Sequence, residues 1–272
     1  PDTHPTLVDG VPVWMRSSLR AWVVAEYSYR SSTTHMMVNN VERVREFDLV
    51  ARGQPLVSTL AKEGPAGLFN SIDDDSILRL LDWTVFDNAA KYGGRERNAA
   101  LEKILASGSS AWRVGERASV AGLERRVPDG VQAAAEAAMA RPGDAGRLLS
   151  DAWHAVYGQN PQPDLGYRKS IEAVEAVVLT NVMPEDDTAT LGKAIGQMRA
   201  QGDWKLPFVK EHARNPSQGV VLGMMQALWS GQSDRHPGTA SYTQSTQPAA
   251  EAAVTLAVTI VNLFANGGIQ RR

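Results

Sequence analysis

Tyr167 to Val178 reads YRKSIEAVEAVV, a spacing that predicts a helix with one face turned into a core. Ile171, Val174 and Val178 recur at intervals of three and four residues, so their side chains share one stripe. Glu175 lies four residues after Ile171 and three before Val178, which places its carboxylate among apolar side chains. An acid in that position needs a cation or hydrogen-bond donors beside it, because an unpaired buried charge costs several kcal/mol. The plain reading makes Glu175 a structural carboxylate that ties two helices together, and the sharper one makes it part of a site. Glu172, at the edge of the stripe, reads as solvated.

Working outward, the second half of the chain is helical throughout. Helices are expected at residues 145–157, 163–182, 188–199, 219–229 and 247–265, with loops rich in Gly, Pro, Asn and Asp between them. Arg141-Pro142-Gly143 is the expected boundary between an N-terminal region, 1–141, and a C-terminal bundle, 142–272. In the first region, Met15 to Tyr29 presents Leu19, Trp22, Val23 and Glu26 on one face, and Asn40 is placed to cap a helix running to Arg52. Ser71 to Ala90 is a further helix. Asp73, Asp74 and Asp75 favour its first turn, where negative charge meets the positive end of the helix dipole, and the Gly93-Gly94 pair stops it. A short helix begins at Leu101, a β-hairpin or small meander fits Ser110 to Val127, and a helix is expected again over Val131 to Ala140. The fold class is therefore mainly α with one small β element. The aromatic residues Trp14, Trp22, Tyr27, Tyr29, Trp83, Phe86 and Trp112 read as core before they read as a base-stacking surface.

Composition narrows the function classes. With 272 residues, 43% of them hydrophobic and 21% charged, the chain can build its own core and lacks the signature of disorder. A net charge of -2 gives no general attraction to nucleic acid or to an anionic bilayer, so any nucleic-acid contact has to be local and no membrane partner is expected. The absence of cysteine removes disulfides, thiolate metal sites and thiol nucleophiles, and fits a cytoplasmic location. The opening PDTHPTLVDGVPVW has no basic segment followed by an apolar core, so no signal peptide is expected in it. Ala252 to Ala265 is too short to span a bilayer and reads as a buried helix. The preference for arginine over lysine, with abundant alanine, suggests a GC-rich genome such as that of an actinobacterium or its phage.

The five histidines, His4, His35, His154, His212 and His236, include no pair at ligand spacing on one helix face, so no metal site and no cofactor are expected. No phosphate-binding glycine loop or G-x-S-x-G elbow occurs. The chemically rich segment is SGQSDRHPG, Ser230 to Gly238, directly after the apolar helix that carries Met224, Met225, Leu228 and Trp229. It sets Asp234, Arg235 and His236 at a helix end, where cations are favoured by the carbonyl dipole. The same composition is also a common helix stop.

The order YRKSIEAVEAVV, then ATLGKAIGQM, then a helix ending in DRHPG, then a long apolar closing helix, resembles the C-terminal domain of abortive infection proteins of the HEPN superfamily. The resemblance covers about Leu148 to Gly267. It implies a compact helical bundle that dimerises, and in active members a metal-independent endoribonuclease in which histidine moves protons and arginine stabilises phosphorane charge. Carried over, His236 matches the family histidine, Glu175 the acidic helix position and Gly238 the small residue that follows. The arginine that the active pattern has four to six residues before the histidine is missing, since Leu228 to Gln232 contains none. Arg235 is adjacent to His236 and does not replace it. Arg147 and His154, seven residues apart, approach that spacing in the wrong place, although Arg147, Arg199 or Arg235 set opposite His236 by dimerisation would leave an unusual site open.

The expectation is thus a phage-defence-type protein with a catalytically silent, homodimeric HEPN-like module. Its partner would be RNA or a phage or host protein. The alternatives are an endoribonuclease using His236, Arg235 and Glu175, and a helical regulator encoded by a phage or prophage.

Overall fold

A computed structural model of the chain describes residues 6–117, 120–232 and 243–272. These residues are mainly helical, with three short antiparallel strand pairs, and divide into two units, residues 1–126 and 127–272. The division falls before the expected boundary at Arg141-Pro142-Gly143. The reason is packing: α6 (Asp129–Met139) buries Ala135 and Ala138 in the core of the second unit, so the break precedes it.

The first unit contains α1 (Val13–Glu26), β1 (Ser28–Arg30), β2 (Met37–Asn39), α2 (Val41–Ala51), α3 (Val57–Ser71), α4 (Asp74–Ala89), α5 (Gly94–Ser107), β3 (Trp112–Arg117) and β4 (Val120–Arg125). α1 buries Met15, Leu19, Trp22, Val23 and Glu26 along the expected stripe, but ends before Tyr29, which enters β1. Asn40 caps α2 by accepting from the Arg43 N–H, and Asp73 caps α4 by accepting from Ser76 N–H at 2.8 Å. The Ser76 hydroxyl, and after it this N–H, hold the Asp73 carboxyl below its ordinary range. α3 has no counterpart among the expected helices, and it carries Gly64-Pro65 in its middle. Gly64 takes a φ of +68° and kinks the helix, which then resumes and buries Leu68 and Phe69.

A polar hub holds α1, α2, α4 and α5 together. The Arg43 guanidinium, 6% exposed, donates to Glu26 Oε2, Asp87 Oδ2 and Asn88 Oδ1, each at 2.7 Å, and to the Glu26 carbonyl at 3.0 Å. The Glu26 side chain, 2% exposed, also meets Arg97 at 3.2 Å. Asn88 donates to Asn98, which donates to the Val85 carbonyl. The Tyr27 ring lies under the guanidinium, 5.3 Å from its centroid, and its hydroxyl pairs with Thr84. Burial pushes that hydroxyl well above its ordinary pKa.

The hairpin β3–β4 is clasped at both outer edges. Val114 and Leu123 face each other across the ladder. The Val114 N–H donates to Glu102 Oε2 of α5 and the Leu123 N–H to Asp82 Oδ1 of α4, both at 2.7 Å. The outward-facing donors of an isolated two-stranded ribbon are thereby satisfied by helix carboxylates.

In the second unit α8 (Pro163–Val182) packs against both α7 (Asp144–Tyr157) and α11 (Gln247–Ala265). α9 (Leu191–Gln201) and α10 (Ser217–Ser230) complete the bundle with α6, and β5 (Trp204–Lys205) pairs with β6 (Gln270–Arg271). The core gathers Trp153, Ile171, Val174, Val178, Met225, Val254 and Phe264. α11 is long and apolar enough to cross a membrane, but Val254, Ala257, Ile260, Val261 and Phe264 face this core, as expected of a buried helix.

Because Arg43 leaves three polar partners behind when removed, Arg43→Ala should lower unfolding free energy in urea by about 3 to 5 kcal/mol. The double change Glu26→Leu with Arg43→Met should cost less than Arg43→Ala alone. Equal losses would mean that the cluster contributes by packing only.

Candidate functional site

A concave surface lies in the first unit, between the end of α4, one face of α5 and the far end of the β3–β4 hairpin. Its volume is about 620 Å³, within the range of small-ligand sites. Small side chains leave the space: Ala89 from α4 and Ala90 just after it, Ala99 from α5, and Gly115 and Ala121 from the hairpin. Gly115 is a constraint of its own, since a Cβ there would run into the Glu124 carboxylate.

The polar groups at this groove are largely engaged. Asp87 Oδ2 takes Arg43 and Lys91, Glu102 takes the Val114 N–H and Arg126, and Asn98 uses both ends of its amide. Arg95, exposed at the rim, forms no hydrogen bond or ion pair with a described residue. Phe86, also at the rim, is 54% exposed. The arrangement is suited to holding a small body against Phe86 and the alanines, with Arg95 at its edge. It offers no pair of neighbouring groups arranged for proton transfer.

Of the residues singled out in the sequence, Glu175 is described and half-buried on α8. Its Oε1 accepts from the Leu191 N–H at 2.6 Å, so it caps the first turn of α9 and joins two helices. The partner that the stripe demanded is therefore a backbone donor rather than a cation. Arg235, His236, Asp234 and Gly238 lie outside the described residues, as does His4. Arg147 pairs with Asp144 and Asp151 on its own helix, at 3.0 and 3.5 Å. No group of three or more acidic or histidine side chains that could hold a metal occurs among the described residues.

The stretch before residue 233 is firmly packed. Leu228 is fully buried, Trp229 lies against Gly192, and the Tyr167 hydroxyl donates to the Leu228 carbonyl at 3.1 Å while occupying the space a side chain at Gly231 would need. The aromatic residues divide. Trp22, Tyr27 and Trp112 are core and Trp83 is half-buried, whereas Trp14, Tyr29 and Phe86 are exposed, contrary to their expected place. Sequence reading also missed Arg43, Asn88 and Asn98. The signal available was a set of polar residues on helix faces otherwise apolar, with Arg43 one residue before Val44.

Comparison with protein-family models, with curated proteins and with solved structures gave no match.

A half-buried carboxylate bonded to one backbone donor contributes less than one sealed in a core with a cation. Glu175→Ala should therefore destabilise the protein by about 1 to 2 kcal/mol in urea unfolding, rather than the larger loss expected of a fully buried acid. Glu175→Gln should recover part of it, and a loss below about 0.5 kcal/mol would mean that the Leu191 bond is made equally well by water.

Proposed function

We propose that the chain is a phage-defence-type protein whose C-terminal unit is a HEPN-like, catalytically silent module, acting in the cytoplasm as a homodimer that binds RNA or a protein partner. The observation that carries this reading is the commitment of Glu175. The acid that the family resemblance assigns to the site uses one carboxylate oxygen to hold α9 onto α8, a structural duty that an imidazole-orienting acid would not need. The window four to six residues before His236 adds support. No arginine stands there, and the Tyr167 hydroxyl occupies the space that a side chain at Gly231 would need. In this reading the groove of the N-terminal unit serves recognition of a small trigger or of a side chain from a partner.

The endoribonuclease alternative requires His236 as proton carrier and Arg235 as charge stabiliser, and a single experiment separates the two. Full-length protein is incubated with end-labelled single-stranded RNA in EDTA, and both anisotropy and product length are followed. The silent module should bind without shortening the RNA, or bind none and take a protein partner, and His236→Ala should change RNA affinity less than twofold. Cleavage that vanishes in His236→Ala would overturn the proposal. Light scattering should give twice the chain mass of 29.4 kDa, and a monomer at high concentration would remove the dimeric part of the reading.

A further inference from the structure

The segment from Leu206 to Pro216, between β5 and α10, is a closed loop with an apolar tip. Its neck is fixed where the Leu206 N–H donates to Ser217 Oγ at 3.2 Å, beside buried Trp204 and Leu206. Inside the loop, the Glu211 carboxylate turns toward the start of α10 and accepts from both the N–H and the hydroxyl of Ser217, which holds it below its ordinary pKa. His212 Nδ1 faces the N–H groups of Arg214 and Asn215, at 3.3 and 3.2 Å. The only acid of the loop and the acceptor nitrogen of its imidazole thus hold its shape. Such compact loops with adjoining ends are often functional.

What the loop turns outward is different in kind. Phe208 is 65% exposed and Val209 106%, adjacent in sequence on a segment whose polar groups are ordered. Lys210 and Arg214 are exposed and form no ion pair with a described residue, while half-buried Lys205, at the neck, faces Asp203 and Glu211 closely enough to favour their charged forms. Two neighbouring exposed apolar side chains on a loop that also carries the exposed cations Lys210 and Arg214 match the layering of an anionic bilayer, with acyl chains beneath headgroup phosphates. A single-stranded nucleic acid would use the Phe208 ring and the same cations but has no use for Val209, the more exposed of the pair, which carries no π face. The whole-chain charge of -2 conceals this local patch.

We propose that the 206–216 loop is a membrane-surface anchor, which inserts Phe208 and Val209 into an anionic lipid surface while Lys210 and Arg214 engage the phosphates. The attachment is peripheral and reversible, because so few residues insert. It is independent of whether the C-terminal unit cleaves RNA.

Flotation of the full chain with vesicles tests this. Vesicles of phosphatidylcholine with 30% phosphatidylserine should carry the protein at 50 mM salt, and pure phosphatidylcholine vesicles at least fivefold less. Phe208→Ser with Val209→Ser should reduce the bound fraction at least tenfold. Lys210→Glu with Arg214→Glu should do the same and remove the difference between the two lipids. All four side chains are exposed, so circular dichroism should be unchanged in both variants. No binding to the anionic vesicles, or binding that neither variant alters, would overturn the proposal. So would a labelled oligouridine that binds and is released by both variants while vesicles are not, which would give the loop to RNA.

Discussion

The Arg43 guanidinium is the constraint around which the first unit is arranged. It lies between helices that contribute an acid from α1, an acid and an amide from α4, and a second arginine from α5 that shares Glu26. Apolar packing alone permits small slides of one helix past another, whereas a planar donor with partners in several directions accepts one arrangement. The value of such a cluster is greater for uniqueness than for net stability, since desolvation offsets much of the attraction. Its placement also shapes the groove, because Asp87 and Asn98 belong both to the hub and to the lining.

A second rule runs through both units. Carboxylates distant in sequence satisfy backbone donors that no local cap reaches. Asp48 accepts from Leu56 and Val57 at the start of α3, Glu175 from Leu191 at the start of α9, and Glu211 from Ser217 at the start of α10. Asp82 and Glu102 do the same for the hairpin edges. A helix start left bare exposes donors and a positive dipole end, and an acid delivered by tertiary structure answers both. Leu56 and Pro216, at the N-cap positions of α3 and α10, have no capping side chain, which is why the acids come from elsewhere.

This rule explains what could be read from the sequence. Periodicity located α8 and α11 at their observed bounds because that signal is local, and the β3–β4 hairpin lies within the Ser110–Val127 stretch expected to form a hairpin or small meander, with Gly115 and Gly122 paired inside the strands. The strand pair β1–β2 and the helix α3 were not legible. The first is three residues per strand and exposed, and the second carries Gly64-Pro65 in its middle. At Glu175 the pattern required a partner without naming it, since a backbone N–H sixteen residues on has no sequence signature. Arg43 sits within a stripe of α2 that reads as amphipathic, and only the meeting of α1, α4 and α5 turns it into a hub. The groove was invisible for a related reason, because alanine is common here and its positions on α4 and α5 become a cavity only when the hairpin lies across them.

The same rule bears on the charge balance. Formally 30 acids exceed 28 lysines and arginines, which argues against any anionic partner. The comparison assumes that acids and bases are equally presented to solvent. Here Asp48, Glu175 and Glu211 direct their charge into helix starts, where backbone dipoles answer it and no basic side chain of the described residues forms an ion pair with them. Bases that would otherwise be paired stay outward, as Arg95, Lys210 and Arg214 do. A chain neutral on average can in this way carry patches that attract phosphate, and the turning inward of Glu211 is what leaves the 206–216 loop cationic around its apolar tip.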